Sequence, residues 1–196
     1  MRIEDLNKIK IQLLKALPQY KSVCILTHKN PDGDGLAAAL ALQEILSDQK
    51  ISAEIVIEDE IPDNYEFLEG RKRVKKFCHT MLYELLIILD CHEEERLGAC
   101  TSLIHTAKEI YVFDHHLQRE LIPKAKTYIN VEAVSVGAIL FEMFESEIEL
   151  LPAESANYVA KALYTTVIND TDNFINMNTD AATFLFCSKL MKNKII

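Results

Sequence analysis

The sequence predicts an α/β fold in which a doubly wound, mostly parallel sheet is flanked by helices. Short apolar runs typical of buried strands alternate with segments whose apolar residues recur at the helical period. The 196 residues contain no Gly/Ser linker, low-complexity tract or internal repeat, so we expect a single domain over 1–196. Acidic residues and histidines also follow several apolar runs, at the strand ends where open α/β sheets bind ligands.

The first part of the chain alternates two helices with two strands. Apolar residues at helical spacing stop at Pro18 and predict an amphipathic N-terminal helix over 6–17. Residues 23–26 are apolar without alternation, which is typical of a central strand. The segment 36–46 is nearly all apolar and contains no Pro or Gly, which predicts a helix, whereas strict alternation over 51–55 predicts a half-exposed strand at the sheet edge.

Three further strands and three further helices complete the predicted fold. Thr179 is the expected N-cap of the last helix. Gly137 marks a helix start that is a candidate phosphate-facing N-terminus, although packing alone also explains a small residue there. The strands occupy 85–89, 109–113 and 127–130, and the helices occupy 136–144, 156–167 and 180–191.

The chain is acidic, with a formal net charge of -9. This charge argues against a broad surface for long nucleic acids, which would need clustered lysines and arginines. It does not exclude small polyanionic substrates, because bound divalent cations invert the local field. Residues 71–76 form the single basic cluster, which we interpret as a solvated surface run, with contact to a phosphodiester as the alternative.

Cysteine usage and hydropathy indicate the compartment. The five cysteines are odd in number and include no Cys-x-x-Cys pair, as in proteins whose thiols stay reduced. Cys78-His79 and Cys91-His92 are interpreted as structural rather than as zinc ligands. No 18-residue apolar run or N-terminal signal pattern is present, so we expect a cytoplasmic protein without membrane association. The assembly state is open, with a homodimer as one option.

The most informative stretch is 27–35, between the strand at 23–26 and the helix that follows it. It contains His28, Asp32 and Asp34 within seven positions. A proline and glycines in the same stretch supply the fixed and the permissive backbone geometries of a tight loop. Two carboxylates and an imidazole favour Mn or Mg over structural Zn. The alternative is an ordinary polar turn, in which one aspartate caps the helix and the other is solvated.

Three later stretches favour a metal site over an ordinary turn. Asp90 follows the apolar strand at 85–89, and an Asp-His-His triplet at 114–116 follows the strand at 109–113. Asp170 comes at the end of a helix-periodic segment. Carboxylates and imidazoles thus recur at the ends of four apolar elements, a pattern that chance would not produce.

With these motifs, the sequence resembles the DHH phosphoesterases, a family named for the Asp-His-His triplet. The resemblance runs from about Ser22 to the C-terminus, with four motifs in the family's order, and it implies a five-stranded sheet. Within the family the chain looks most like the NrnA type, which degrades short oligonucleotides. The features behind this closer resemblance are Pro31-Asp32-Gly33-Asp34, Leu89-Asp90-Cys91 with Arg96-Leu97-Gly98, and Asp170-Thr171 before Phe174.

The resemblance implies two divalent ions, with Mn as the expected metal and Mg or Co as alternatives. Two such ions roughly 3.5 to 4 Å apart repel each other unless an anion lies between them. Asp90 is the implied bridging ligand and a catalytic residue. The other implied ligands are His28 and Asp32 for the first ion, and Asp34, His115 and Asp170 for the second.

Four further residues are assigned roles around the ions. The resemblance implies that His116 faces the substrate phosphate as a catalytic residue, stabilising charge or protonating the leaving oxygen. Asp114 would orient an imidazole, because ligating histidines usually donate their second N–H to a carboxylate or carbonyl. Asn30 is expected to hydrogen-bond within the first turn. Arg96 suits a bidentate phosphate contact, with a surface ion pair to the adjacent glutamates as the alternative.

We therefore expect a Mn-dependent phosphoesterase, a hydrolase that cleaves short oligoribonucleotides or small nucleotides such as pApA and pAp with a water activated between two metal ions. One alternative is an inorganic pyrophosphatase, although related pyrophosphatases usually carry Thr where Gly33 stands. A second alternative is a noncatalytic metal- or nucleotide-binding domain. It gains support because nothing in the sequence matches the glycine-rich His/Arg motif of the family's usual C-terminal domain, which we expect to be absent.

Overall fold

The computed structural model describes residues 5–192, and its centre is a six-stranded sheet in which all neighbouring strands are parallel. The strands are β1 Val23–Leu26, β2 Ala53–Ile57, β3 Val74–Lys76, β4 Leu85–Leu89, β5 Glu109–Asp114 and β6 Lys126–Ile129. The helices are α1 Leu6–Ala16, α2 Gly33–Asp48, α3 Thr101–Thr106, α4 Val136–Leu150, α5 Ala153–Asp170 and α6 Ala181–Met191. Within the described residues, none of these helices is long and apolar enough to cross a lipid bilayer. The predicted α/β class is confirmed.

The strand order β3-β2-β1-β4-β5-β6 places β1 inside the sheet. The chain runs outward from β1 to β3 and then returns to β4, on the other side of β1. The direction of winding therefore reverses between β1 and β4, which opens a crevice beyond their carboxyl ends. Open α/β sheets bind ligands at such a reversal point. The 27–35 turn follows β1 and Asp90 follows β4, so both border this crevice.

Every residue of β1 and β4 is buried, because the sheet is covered on both faces. Ile25 and Ile87 belong to a large core formed with α1, α2, α4, α5 and α6. Leu26 and Ile88 belong to a smaller core on the opposite face, formed with α3 and the 3-10 segment Glu94–Cys100 before it. Burial on both faces explains why these strands show continuous apolar runs instead of alternation.

α2 is buried along most of its length and packs along α5. Its run of alanines leaves little side-chain volume between the two helices, so their backbones can approach closely. The beginning of α2 meets the end of α5, where the Gly33 N–H donates to Oδ1 of Asn169 at 3.1 Å. This packing brings Asp34 and Asp170 to the same end of the crevice.

The sheet differs from the prediction at one edge. β3 pairs with β2 in parallel, with Ile55 opposite Val74, so the strand predicted over 51–55 is shifted to 53–57 and does not lie at the edge. The sheet accordingly has six strands, not five. β3 is only three residues long and lies in the basic cluster, where no alternation could reveal it. Its charged side chains stay at the surface, where Lys75 pairs with a glutamate of β2, and charge on an edge strand discourages further pairing.

α6 begins one residue later than predicted. Asp180, rather than Thr179, is the N-cap, and its carboxylate accepts the Thr183 N–H at 2.8 Å. The Thr183 hydroxyl accepts the Asp180 N–H in return, which completes a capping box. The sequence offered two adjacent capping residues, and the reciprocal bond with Thr183 selects the second.

Candidate metal centre

Carboxylates and imidazoles from several elements meet in the crevice beyond β1, β4 and β5. Among the described residues they form three overlapping sets, and in each set one ligand atom per residue lies within 4.8 Å of the others. One set contains Asp90 with the Asp-His-His triplet at 114–116, and we name the other two group one and group two. Group one consists of His28, Asp32 and Asp90, and group two consists of Asp34, His115 and Asp170. The fold thus gathers all six predicted metal ligands, in the two sets that the resemblance implied. That they bind metal ions stays a prediction.

Asp90 lies between the two groups. Its Oδ2 is 3.3 Å from Nε2 of His28, and its Oδ1 is 3.5 Å from Nε2 of His115. The residue is 1% exposed, and its backbone φ of 58° is left-handed, a conformation that aspartate adopts more readily than most residues. This backbone conformation directly after β4 turns the carboxylate into the crevice, where it contacts both groups at once.

Backbone carbonyls hydrogen-bond to Nδ1 of both His28 and His115 and orient the two imidazoles. Nδ1 of His28 lies 2.7 Å from the Lys29 carbonyl oxygen, and Nδ1 of His115 lies 3.2 Å from that of Ala133. A carbonyl only accepts, so Nδ1 carries the proton and donates it. In the neutral imidazole, the lone pair of Nε2 then points at the carboxylates of the group. Metal-binding histidines are commonly oriented in this way.

Three buried atoms of the two groups have no hydrogen bond of suitable geometry within residues 5–192: Nε2 of His28, Nε2 of His115 and Oδ1 of Asp90. Leaving a buried polar atom unsatisfied costs about 1–3 kcal/mol, so three of them in one crevice need a physical reason. Imidazole nitrogens and carboxylate oxygens together suit divalent transition ions. The residues therefore fit bound metal ions.

Without a cation, the carboxylates of each group attract protons to the imidazoles. Burial lowers the pKa of His28, but its close contacts with the carboxylates of Asp32 and Asp90 outweigh burial and raise the pKa to about 10. Burial likewise lowers the pKa of His115, and contacts with Asp170 and Asp90 raise it to about 11. Both groups thus attract positive charge, which a divalent cation would supply in place of these protons.

Asp34 is fully buried and is held by the beginning of α4. Its Oδ2 accepts the Val136 N–H at 2.7 Å, and its Oδ1 accepts the Gly137 N–H at 3.2 Å. Burial, followed by the charges of nearby carboxylates, raises the pKa of Asp34. The α4 N-terminus therefore binds a protein carboxylate, and the suggestion that it faces a phosphate is wrong. Close packing explains the glycine at 137, since a Cβ there would lie 2.1 Å from Oγ1 of Thr166.

Asp32 combines helix capping with a place in group one. Its Oδ1 accepts the N–H groups of Asp34 and Gly35 at 3.0 and 3.2 Å, which caps α2. Its Oδ2 lies 3.6 Å from Nε2 of His28. The alternative of an ordinary turn with one capping and one solvated aspartate is thus only half right, because Asp34 is buried.

Asp114 orients His116 through several hydrogen bonds. Its Oδ1 accepts from Nδ1 of His116 at 2.8 Å and from the backbone N–H groups of His115 and His116 at 2.7 and 3.2 Å. Burial alone would raise the pKa of this carboxyl, but hydrogen bonds from His116 and His92 hold it well below its usual range. The His116 side chain is 44% exposed.

His92, which the sequence predicted to be structural rather than a zinc ligand, is a buried residue next to the site. Its Nδ1 donates to Oδ2 of Asp114, and its Nε2 accepts the Arg119 N–H at 3.1 Å. The His92 carbonyl also accepts the Ile122 N–H at 3.0 Å. His92 therefore joins the loop after β4 to the loop after β5 that carries His116. The only sequence signal is a histidine two positions beyond Asp90.

Arg96 and Asn30 lie near the first turn, and both form backbone hydrogen bonds there. The Arg96 carbonyl accepts the Lys29 N–H at 2.7 Å, which docks the 3-10 segment onto the turn. Its half-buried side chain forms no ion pair within residues 5–192, so the alternative of a surface ion pair with the adjacent glutamates is not found, whereas the phosphate contact stays a prediction. Asn30 is exposed, and its backbone N–H donates to Oδ2 of Asp59 at 2.6 Å.

Two curated relatives are similar to this chain in sequence. A "Probable manganese-dependent inorganic pyrophosphatase" of Bacillus mycoides is 27% identical over 147 residues, which cover 73% of this chain and 47% of the relative. The "Cyclic-di-AMP phosphodiesterase PdeA" of Listeria monocytogenes is 22% identical over 187 residues, which cover 88% of this chain and 28% of the relative. The chain thus spans about half the length of the first relative and less of the second.

A solved structure and a family model extend the comparison. The crystal structure of an exopolyphosphatase-related protein from Bacteroides fragilis matches with a TM-score of 0.83 and 19% identity, covering 95% of this chain and 57% of that chain. At this identity the likeness concerns the fold. The model described as "DHH family, N-terminal domain" matches residues 22–181, a range that includes both ligand groups. The chain therefore belongs to the DHH family.

Proposed function

We propose that this chain is a metal-dependent phosphoesterase domain, a hydrolase that acts on short oligoribonucleotides or small nucleotides such as pApA and pAp. The observation that carries the proposal is the convergence of two ligand groups on one buried carboxylate, Asp90, with the free Nε2 atoms of His28 and His115 facing it. Two-ion phosphoryl-transfer sites need such a shared anion between their cations.

The proposed division of labour follows the two groups. His28 and Asp32 would hold one divalent ion, group two would hold the other, and Asp90 would contact both. Mn is the first candidate, in line with the name of the Bacillus mycoides relative, and Mg and Co are the alternatives. When bound, such ions activate water and offset the negative charge of the phosphate.

Side chains of this chain would donate the proton and bind the substrate phosphate. Nε2 of His116 is free while Nδ1 is fixed by Asp114, so the imidazole is oriented to hydrogen-bond the phosphate or to protonate the leaving oxygen. The ionised Asp114 favours the protonated imidazole that this role requires, and it raises the pKa of His116. Arg96, whose guanidinium is not taken by an ion pair in the described part of the chain, is the proposed phosphate contact at the rim.

The substrate class rests on charge and on the relatives. A net charge of -9 disfavours long nucleic acids, whereas a short substrate would interact mainly with the cations and their surroundings. One relative is named as a phosphodiesterase of a nucleotide, cyclic di-AMP. All five cysteines are free thiols, which favours a cytoplasmic location for the proposed activity.

A second candidate function is inorganic pyrophosphate hydrolysis, which the name of the Bacillus mycoides relative favours. Hydrolysis of pApA, pAp and pyrophosphate, measured side by side with Mn, Mg and Co, distinguishes the two. We expect cleavage of the nucleotides to exceed that of pyrophosphate, with Mn the most effective ion. Faster cleavage of pyrophosphate would favour the second function.

A control variant distinguishes loss of catalysis from loss of folding. Asp90→Asn should abolish hydrolysis of every substrate, whereas Asp48→Asn, at an exposed aspartate at the end of α2, should not. Binding of Mn without turnover of any substrate would instead support the noncatalytic alternative.

A further inference from the structure

Asn169 connects the second ligand group to two distant parts of the chain. Its Oδ1 accepts the Gly33 N–H at 3.1 Å and the Tyr65 hydroxyl at 2.7 Å. Its Nδ2 donates to Oδ1 of Asp170 at 3.0 Å. A backbone N–H can only donate, so the bond from Gly33 fixes which end of the amide is the oxygen. The amide nitrogen must therefore face Asp170.

This contact divides the two oxygens of Asp170 between different partners. Oδ1 is taken by the Asn169 amide, while Oδ2 lies 3.0 Å from Nε2 of His115, inside group two. Asp170 is the last residue of α5, where its side chain has no following helical turn to restrain it. The amide therefore supplies the restraint that keeps Oδ2 directed at the group.

Tyr65 restrains Asn169 from the opposite side. It lies in a 3-10 turn on the connection between β2 and β3, 104 residues before Asn169 in the chain. The three residues fit together only because Gly33 has no side chain. A Cβ there would lie 2.8 Å from Oδ1 of Asn169 and 2.9 Å from Cε1 of Tyr65, both closer than normal contact.

We propose that Asn169, braced by Tyr65, is a positioning residue that fixes Asp170 for the second metal ion. The proposal rests on the proposed function, because it takes group two to be an ion site. Residues that hold a metal ligand by hydrogen bonds typically change metal affinity by about 10- to 100-fold when they are replaced. Tyr65 and Asn169 would thus set the affinity of the second ion without touching it.

Mn binding by calorimetry and electron paramagnetic resonance tests this directly, without any measurement of activity. Asn169→Asp keeps the shape of the side chain but replaces the donor that faces Asp170 with a charged acceptor. We expect it to weaken the second Mn-binding step by about 10- to 100-fold and to leave the first within about twofold. Tyr65→Phe, which removes only a hydroxyl, should weaken the same step by about three- to tenfold.

Tyr158→Phe is the matched control, because this hydroxyl donates to the carbonyl of Glu69 and has no contact with either group. It should leave both binding steps unchanged. A second step that stays within twofold of wild type in both test variants would overturn the positioning role. Equal weakening of both steps together with a lower melting temperature would also overturn it, because that result indicates a structural role. A wild-type protein that binds no Mn would instead refute the proposed function.

Discussion

The two ligand groups meet at Asp90, a member of group one whose carboxylate also contacts His115 of group two, but they are built in different ways. Group one takes His28 and Asp32 from a single turn, four positions apart, and the Asp32 side chain is 40% exposed. Group two takes one side chain each from α2, the residues after β5 and the end of α5, and none of the three is more than 14% exposed. One group is thus local and partly open, whereas the other is assembled from distant elements and is nearly closed.

The difference shows that one crevice can combine a ligand set from a local turn with a set that the tertiary structure assembles. A local turn can form its ligand set wherever the strand before it is in place. A closed set needs every contributing element to be packed, and its charges interact more strongly because water is excluded. We therefore expect the second ion to depend on the tertiary structure and the first to depend mainly on the 27–35 turn.

The largest expected effect belongs to the residue that the groups share. Asp90→Asn should remove both Mn-binding steps and reduce turnover by more than about 100-fold. Replacing a residue that only hydrogen-bonds to a metal ligand already lowers metal affinity or activity by about 10- to 100-fold, and Asp90 is a proposed ligand itself. Titration calorimetry of the variant measures this. Unchanged two-ion stoichiometry would show that Asp90 bridges nothing, and the two groups would then be independent sites.

The next effect separates the neighbouring histidines. His116→Ala should keep both ions and lower turnover by about 100-fold or more, because it removes a proton donor from the transition state. His115→Ala should lose the second ion itself, because Nε2 of His115 faces group two. Parallel measurements of turnover and Mn binding test the contrast. Equal loss of metal in both variants would show that the two imidazoles have the same role.

A third pair of variants tests the groups separately. Asp32→Asn should weaken only the first ion and Asp170→Asn only the second, each by roughly tenfold or more. Competition between Mn and Cd, followed by electron paramagnetic resonance, assigns each loss to one step. The comparison between a local and an assembled group fails if either variant affects both steps equally.

A smaller effect concerns pH. The folded-state pKa values of about 10 for His28 and about 11 for His115 lie above the unfolded value of about 6.5. Their contribution to the stability of the metal-free protein is therefore complete below about pH 6.5 and is lost progressively as pH rises toward 10 and 11. Bound ions must displace these protons, so Mn affinity should rise by about tenfold per pH unit for each proton displaced.

Denaturant unfolding without metal, and Mn titration at about pH 6.5, 7.5 and 8.5, measure the two trends. They should run in opposite directions. A Mn affinity independent of pH would mean that the imidazoles bind the ions without losing a proton, contrary to the arrangement inferred for both groups.

The smallest expected effect is at His92, outside both groups. His92→Asn retains a donor near the position of Nδ1 for Asp114 and should lower turnover by a few-fold, whereas His92→Leu removes the donor and should cost about tenfold. Neither variant should change Mn stoichiometry. His105→Leu, at an exposed histidine, is the control. Equal activity of the asparagine and leucine variants would show that the bond to Asp114 has no part in turnover.

Much of group one could be predicted from the sequence, because its chemistry lies in a short segment. Continuous apolar residues at 23–26 predicted a buried strand, and the turn after it carried a histidine and two aspartates. The strand at 85–89 likewise located Asp90. Where the prediction failed, as with β3, the element was three residues long and charged, so it had no periodic pattern to detect.

The sequence by itself determined which residue types follow which strands, and therefore which side chains could reach the crevice of an α/β sheet. Only the tertiary structure decided how they are held. Asp34 is held by the beginning of α4, 102 positions away, and Asp170 is held by the Asn169 amide, which accepts a hydrogen bond from Tyr65 on the connection between β2 and β3. The physical reason is that apolar periodicity arises from burial of local segments, whereas a hydrogen bond between distant segments leaves no repeating pattern in the chain. The orientation of the group two ligands was therefore fixed only when the helices packed on the sheet.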